Sequence, residues 1–358
     1  MFAYITKKIT YSILVLCGVL TLVFFLFNVL PGDPARMMLD KREDSNQLTI
    51  IKHKYGFDRS FGEQYALYLN DVLPLSIHHN NTTSFTSLAS GKYDFKRLFT
   101  LTNYTLALKI PYLRESFVRT GTSVTTIIGH TFKNTFVLAL SSIVIALFLG
   151  LILGVFSALY KDTIIDKTIL LISVLGMSLP SFFASIIIAW IFGFVLHNFT
   201  GLNMTGSLYE VDDYGRGSFL QFKNLILPAI TLGIRPLSVI IQLCRNSLLE
   251  VLTMDYVRTA TAKGLSKFTV IFKHALRNAL NPVVTAVSGW FASLLAGAVF
   301  VEYIFAWNGL GKEIVDALNN MDLPVVMGSV LFISIIFIVI NILVDLIYML
   351  VDPRIKIE

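Results

Sequence analysis

The chain has 358 residues, of which 55% are hydrophobic and only 15% charged, and its formal net charge is +6. A soluble domain needs roughly a quarter of its residues charged, so this composition excludes an ordinary soluble protein and indicates a chain that spans a membrane. The basic residues stand at the ends of apolar blocks and form no soluble basic face, which argues against nucleic acid as a partner.

The first predicted element is a membrane span. A helix needs about 20 apolar residues to cross the hydrocarbon core of a bilayer, and the run Ile9–Leu30 meets that requirement directly after Lys7 and Lys8. This run is too long for the core of a secretory signal, and no small-residue cleavage site follows it. We therefore expect residues 1–30 to be a retained first helix with a short cytoplasmic N-terminus.

A segment of about 100 residues, 31–135, separates the first two spans and predicts a long extracytoplasmic loop region. It opens with the turn sequence Pro31–Pro34, and the Asn/Thr/Ser-rich stretch His78–Gly91 is typical of irregular loop. Between them the spacing of apolar residues predicts an amphipathic helix. Its apolar face carries Phe61, Tyr65, Leu69 and Val72.

The rest of the chain predicts a five-helix core at 136–351 and a short cytoplasmic tail at 352–358. The five apolar blocks are Phe136–Tyr160, Ile169–Phe199, Leu225–Leu243, Pro282–Val301 and Leu323–Val344. Gly176 and Pro180 should bend the second of these blocks. The fold class indicated is an all-α membrane protein with about six transmembrane helices.

Loop charge predicts the orientation. The loop that follows the fourth span is strongly basic, whereas Gly201–Lys223 is acidic. The basic residues of the former are Arg245, Arg258, Lys263, Lys267, Lys273 and Arg277. Because cytoplasmic loops carry the excess of lysine and arginine, the sequence places both termini and the loop 245–281 in the cytoplasm.

Four charged residues fall within or at the ends of predicted spans. Arg235 stands mid-span, where a charge costs about 2.5–3.5 kcal/mol, so it should face protein or a water-filled cavity. Two alternatives remain open for it, an ion pair with a neighbouring helix and a place in the cavity lining. Arg245 and Asp345 near the cytoplasmic ends, and Glu302 at an outer end, are expected to be structural charges rather than a proton relay.

Enzyme signatures are missing from the sequence, which predicts no catalytic residue, no metal site and no cofactor in this chain. It has no H-E-x-x-H, no G-x-S-x-G and no closely spaced cysteines, since Cys17 and Cys244 are its only two. It also has no G-x-x-x-x-G-K-[ST] phosphate loop. If ATP drives a process here, another polypeptide must hydrolyse it.

The most informative stretch is Asp255–Leu265 in the basic loop. Residues Tyr256–Ala262 predict a short helix, and Gly264 supplies the left-handed residue that ends it. The ordinary interpretation is a solvated loop that only fixes topology. The residues of this stretch follow an ordered motif that continues through His274–Pro282, which argues against that interpretation.

This order resembles the "EAA" loop of binding-protein-dependent ABC importer permeases, in the version found in dipeptide and oligopeptide systems. Arg258 stands where the family's general pattern has glutamate, as is common in peptide-type members. Leu30–Pro34 and Glu302–Gly311 resemble other segments of the same permeases, and roughly Leu75–Pro111 looks like an insertion relative to compact members.

The resemblance implies a type I ABC importer-like permease fold in the bacterial cytoplasmic (inner) membrane. It also implies peptides or similar small solutes as cargo, with a second homologous permease, two ATP-binding subunits and an extracytoplasmic substrate-binding protein as partners. The residues implied in coupling to the ATPase are Asp255, Tyr256, Arg258, Thr259, Ala260, Ala262, Lys263 and Gly264.

Two other classes of function compete with this one. A self-sufficient secondary transporter should show internal repeats and paired midplane acids, which the sequence lacks. A membrane-anchored sensor or scaffold would need a compact domain in the outer segment, where the sequence shows little core. Co-purification with an ATPase separates the importer permease from both.

Overall fold

The structure, a computed structural model, describes residues 2–29, 35, 45–81, 84–88, 91–211 and 217–351. The predicted turn Pro31–Pro34, the loop residues Asp212, Asp213 and Arg216, and the tail 352–358 lie outside the described residues. The fold is mostly helical. In chain order the helices are α1 (Phe2–Val29), α2 (Ser45–Tyr55), α3 (Phe61–Val72), α4 (Val124–Leu159), α5 (Ile164–Ser178), α6 (Ser181–Trp190), α7 (His197–Thr200), α8 (Lys223–Leu252), α9 (Asp255–Ala262), α10 (Lys267–Thr269), α11 (Leu276–Ala279), α12 (Asn281–Gly297), α13 (Val299–Ile304), α14 (Leu310–Asn319) and α15 (Leu323–Val351).

Two short π-helical segments and five strands complete the described elements. The π-helical segments are Ile191–Val195 and Val270–Ala275, and the strands are β1 (Leu75–His79), β2 (Phe95–Thr100), β3 (Tyr104–Lys109), β4 (Tyr209–Val211) and β5 (Ser218–Leu220). The prediction of an all-α chain is therefore wrong for the strand segments. In β1 and β3 buried and exposed residues alternate, the two-residue period of a half-buried strand. Most of the buried residues are polar and the exposed ones apolar, so the sequence shows no inward apolar face; the buried polar residues are Ser76, His78, Thr105 and Lys109.

Four helices among the described residues are long and apolar enough to cross a membrane, namely α1, α4, α8 and α15. Two bent pairs raise the number to six if each counts as one span. The segments Ile164–Ser178 and Ser181–Val195 meet at 111°, and Lys267–Ala279 and Asn281–Gly297 meet at 51°. The bend predicted from Pro180 is confirmed. Because proline cannot donate the helical hydrogen bond, the predicted span Ile169–Phe199 is broken there.

The contacts of the chain divide it into two compact units. The first contains Thr131–Val315 and the part of α15 from Ile333 onward, and the second contains Ile5–His130 and Asp316–Phe332. In the first unit, α4 packs closely against α8 through two glycines. A Cβ at Gly150 would lie 2.6 Å from Ile240 Cγ2, and one at Gly154 would lie 2.7 Å from Cys244 Cβ. The spacing is that of the G-x-x-x-G packing motif, which lets two backbones approach.

The second unit has a small sheet whose strand order is β1-β3-β2, with both pairs antiparallel. Helix α3 packs in the same unit, and its start is fixed by a capping box in which Ser60 and Glu63 bond each other's backbone N–H. The predicted amphipathic helix is confirmed for Val72, which is buried, and for Tyr65 and Leu69, which are half-buried, but Phe61 of the predicted face is exposed.

A buried polar cluster lies between α3 and this sheet. The Asp71 carboxylate accepts hydrogen bonds from Arg114 Nε at 2.9 Å and from the Tyr93 hydroxyl at 2.8 Å. Lys109 is also buried; its Nζ donates to the Asp71 carbonyl at 2.7 Å and lies 4.3 Å from the centre of the Tyr93 ring. Burial lowers the pKa of Lys109 to about 8, which the charge of Asp71 only partly offsets. The described part of the segment 31–135 thus contains an ordered core that the sequence did not predict.

Candidate functional site

The basic loop forms the short helix predicted from its sequence. Helix α9 begins after the extended residue Met254 and ends at Ala262, with Lys263 as its C-cap. Gly264 follows with φ +78°, and its N–H donates to the Thr261 carbonyl at 3.0 Å. This left-handed glycine ends the helix as expected. A Cβ at Gly264 would meet no atom of this chain within 4 Å, so the space beside it is open.

Helix α9 is attached to the first unit by one narrow face. Val257 and Ala260 are buried in a cluster that also contains Val251, Val270 and Ala275. Seven of the eight residues named from the resemblance are exposed, and Ala260 is the exception because it faces this chain's own core. The exposed ones are Asp255, Tyr256, Arg258, Thr259, Ala262, Lys263 and Gly264.

One side-chain contact connects α9 to the helix that leads into the next span. Asn278 Nδ2 donates to the Tyr256 hydroxyl at 2.7 Å. In contrast, Arg258 and Asp255 approach only to 3.8 Å and are highly exposed, and such surface pairs contribute little to stability. The loop around α9 stays basic on its surface, where Arg258, Lys263 and Lys267 are all exposed.

A cavity of about 90 Å³ lies at the break between α5 and α6 in the first unit. Its walls come from these two helices, from α8 and from α12. The lining residues that carry polar side chains are Ser181, Thr231, Arg235, Trp290 and Ser293. The rest of the lining is glycine and aliphatic side chains.

Arg235 lies on α8 between Ile234 and Pro236, near the middle of the helix. Its side chain is exposed, and no carboxylate lies within 4 Å of the guanidinium among the residues that the structure describes. Of the two alternatives left open by the sequence, the geometry favours cavity lining over an ion pair with a neighbouring helix.

Arg245 is paired, and its partner is a residue that the sequence analysis did not single out. Its Nε and Nη2 donate to the two carboxylate oxygens of Asp166 at 2.8 and 2.7 Å. The Ser157 hydroxyl and the Asp162 N–H donate to the same carboxylate. Asp166 stands in the first turn of α5, three residues after its N-cap, where sequence alone reads it as an ordinary helix-start acid. Asp345 lies half-buried on α15.

Glu302 is fully buried and accepts hydrogen bonds on both carboxylate oxygens. Oε1 accepts from the Thr135 hydroxyl at 2.6 Å, and Oε2 accepts from the N–H groups of Gly311 and Lys312 at 2.7 and 3.1 Å. The N–H groups belong to the first turn of α14, where a negative charge is favourable. Glu302 is therefore bonded to the first turn of α14; its structural role stays a prediction.

No cluster of three or more histidine, cysteine, aspartate or glutamate side chains suited to a metal ion occurs in the described part of the chain. The hydroxyls and the indole around the cavity are not marked by any pattern in the sequence. Ser181, Thr231, Trp290 and Ser293 come from three separate helices, so only the break at Leu179–Pro180 could have pointed to them.

The family models and the relatives that match this chain all describe membrane components of transport systems. Residues 150–357 match the family model described as "Binding-protein-dependent transport system inner membrane component", and residues 1–88 match the model of its N-terminal part. The chain is 31% identical over 369 residues to a dipeptide transport system permease protein of Alkalihalophilus pseudofirmus, covering 99% of this chain and 100% of the relative. It is 33% identical over 370 residues to a di/tripeptide transport system permease protein of Pseudomonas aeruginosa, covering 99% of each.

A third relative, a dipeptide transport system permease protein of Haemophilus influenzae, is 35% identical over 369 residues, covering 99% of this chain and 100% of the relative. Among solved structures, the inward-facing MetNI methionine ABC transporter matches with a TM-score of 0.50 and 17% identity. The match covers 64% of this chain and 97% of that one. At this identity the likeness concerns the fold alone.

Proposed function

The chain belongs to the family of binding-protein-dependent transport system inner membrane components, and from this we propose that it imports dipeptides and similar small solutes. It is the permease subunit of an ABC importer. The observation that carries the substrate class is likeness along the whole chain: relatives named for dipeptide or di/tripeptide transport match 99% of it. The chain has no phosphate loop, so ATP hydrolysis belongs to a separate subunit.

Energy enters through α9. The exposed face of this helix, with Tyr256, Arg258 and Lys263, is proposed to dock into an ATP-binding subunit. The attachment of α9 supports this proposal. Val257 and Ala260 hold one side of the helix in the core, and Tyr256 is bonded to Asn278. A displacement of α9 is therefore transmitted to α11 and α12. The open space beside Gly264 leaves room for a partner surface.

The proposed topology has six spans, with each bent pair counted as one, and both termini in the cytoplasm. The outer segment 31–135 then lies outside the cytoplasm, and 136–351 forms the permease core. The basic surface of α9 and its neighbours, and the acidic Glu210 between the bent span and α8, support this orientation.

The complete transporter is proposed to contain a second homologous permease, two ATP-binding subunits and an extracytoplasmic substrate-binding protein. The cavity beside Arg235 belongs to the translocation path. No carboxylate of the described residues lies within 4 Å of this guanidinium, so water or solute rather than lipid solvates it there.

The test is uptake in the natural host. A leucine auxotroph that lacks this gene should fail to grow on a leucine-containing dipeptide while growing normally on free leucine, and the restored gene should return dipeptide growth. Pulling down the tagged permease should recover an ATP-binding subunit. Unchanged uptake of labelled dipeptides in the deletion strain, with other peptide importers removed, would refute the proposed substrate class.

A further inference from the structure

The cavity at the break between α5 and α6 is lined, among the described residues, by one cation and no acid. That cation is Arg235, and the other polar groups of the lining are the hydroxyls of Ser181, Thr231 and Ser293 and the indole of Trp290; the Thr231 hydroxyl donates to the Leu227 carbonyl. Such a lining offers hydrogen-bond donors and a positive charge. It is suited to a negatively charged group and would repel an isolated ammonium.

The position of Arg235 makes this charge costly to keep. It stands near the middle of α8, and no carboxylate of the described residues lies within 4 Å of it. Charged side chains at such depth mark solute or ion pathways when they face a cavity. A purely structural arginine would be expected to hold an acid, as Arg245 on the same helix holds Asp166.

The size of the cavity limits what it holds. Pockets that enclose a whole drug-sized ligand measure about 300–1,000 Å³, whereas this one measures about 90 Å³. It therefore accommodates one end of a solute and leaves the remainder in the surrounding path. A guanidinium binds a planar carboxylate through two parallel N–H donors, and a carboxylate is the group at one end of every unmodified peptide.

We propose that Arg235 binds the carboxylate of the transported solute, with the hydroxyl of Ser181 beside it, as a transient station in the permease. This inference rests on the proposed function and adds to it the chemical group that the membrane path recognises. The contact is a single cation at the wall of a small cavity, so release remains fast, as a conduit requires.

The test is thiol protection in the complete transporter, purified with its partner permease and ATPases and assayed without the binding protein. Ser293→Cys introduces a thiol in the cavity wall; the exposed Cys17 is replaced by serine and the buried Cys244 is kept. Modification at position 293 by an anionic methanethiosulfonate is followed by mass spectrometry. The probes are glycylglycine, glycylglycinamide and inorganic phosphate.

Glycylglycine should slow modification at position 293, and glycylglycinamide, which lacks the carboxylate, should do so about tenfold less effectively. Arg235→Gln should raise the half-protecting concentration of glycylglycine about tenfold, and Arg235→Lys, which keeps the charge, should raise it less. The ratio of the modification rate by the anionic reagent to that by a cationic reagent should be higher in the protein that has Arg235 than in the Arg235→Gln variant.

Equal protection by the dipeptide and its amide, or by phosphate and the dipeptide, overturns the inference. Absence of protection at tens of millimolar does so as well. If Arg235→Gln fails to assemble, the comparison of dipeptide with amide on the Ser293→Cys protein decides alone. ATP-driven dipeptide uptake by the same preparation in proteoliposomes with binding protein tests the proposed function separately, so the two failures are distinguishable.

Discussion

Arg245 and Asp166 form a two-point ion pair that joins α8 to the first turn of α5, with N–O distances of 2.8 and 2.7 Å. The Asp166 side chain is 2% exposed, and that of Arg245 is 15% exposed. A pair of this kind contributes little net stability compared with apolar residues, but removing one partner leaves a buried charge. Removing one partner therefore destabilises the protein by more than the intact pair stabilises it.

Asp166→Leu should therefore destabilise the protein by about 3–5 kcal/mol, because the Arg245 guanidinium is left without its acceptor. The double variant Asp166→Leu with Arg245→Met should recover most of this loss. Thermal unfolding in detergent, with size-exclusion to score assembly, measures both. A double variant as unstable as the single one would show that the charge pair itself, rather than the unpaired charge, sets the stability.

Gly264→Val should uncouple transport from ATP hydrolysis while leaving the permease folded. Valine in a left-handed conformation costs about 1–2 kcal/mol, and it moves the end of α9, yet no atom of this chain lies in the way of a Cβ. Gly264→Asn is the matched control, because asparagine tolerates this conformation. Dipeptide uptake per ATP hydrolysed should fall strongly for valine and much less for asparagine; normal coupling in the valine variant would rule out α9 as the coupling helix.

Topology is testable with single cysteines at exposed positions. Thr102→Cys, in the turn between β2 and β3, should react with a membrane-impermeant thiol reagent in spheroplasts, whereas Lys267→Cys on α10 should react only after permeabilisation. Ser87 would be a poor choice, since it is only 1% exposed. The background carries Cys17→Ser and keeps the buried Cys244. The reverse pattern of labelling would contradict the proposed orientation.

The sheet of β1, β3 and β2 should become more stable between pH 7.5 and 9.5. Lys109 has a pKa of about 8 in the folded chain and its ordinary value of 10.5 when unfolded. In that interval the unfolded chain keeps a proton that the folded chain has lost, so the free energy of unfolding rises with pH. Burial raises the pKa of Tyr112 to about 12, which opposes the trend only above this window.

The measurement is amide hydrogen exchange of peptides from β1 and β3, corrected for the intrinsic pH dependence of exchange. Protection should increase with pH in the natural sequence and become flat in Lys109→Met, which removes the titrating group. Lys92→Met removes an exposed lysine of the same unit and should keep the natural slope. A slope unchanged by Lys109→Met would assign the effect to another residue.

Close packing of α4 on α8 predicts a sharp contrast between two glycines of one helix. Gly154→Ala should cost about 1–3 kcal/mol, because its Cβ would lie 2.7 Å from Cys244 Cβ. Gly129→Ala should be neutral or stabilising, since nothing lies within 4 Å and alanine favours helix. Melting temperatures in detergent should separate the two, and equal values would contradict the helix contact.

Apolar length and loop composition were sufficient to predict most of the membrane helices and the helix α9. They were insufficient for helix starts, because α4 begins at Val124, twelve residues before the apolar block that predicted it. Its first turns carry Thr125, Thr126 and His130. A prediction based on the length of apolar runs does not include polar residues at the end of a helix.

The sheet and the ion pair of Asp166 with Arg245 could not be predicted from the sequence, because each joins residues that are far apart in the chain. Strand β3 pairs with β1 across about 30 residues of chain, and Asp166 meets Arg245 across 79. Neither pairing leaves a local trace, since each residue alone is an ordinary loop or helix-start residue. Arg235 could be singled out because a lone charge in an apolar block is itself a local anomaly.

Glu302 and the glycines after it have a consequence for how this sequence can change over time. A Cβ at Gly309 would lie 2.3 Å from the Glu302 carboxyl carbon, and one at Gly311 would lie 2.9 Å from its Oε2. Neither glycine can gain a side chain while the carboxylate occupies its present place. Conversely, a shorter residue at position 302 would abandon the N–H groups of Gly311 and Lys312. The three positions therefore constrain one another, and a change at any one of them alone should impair the packing around the other two.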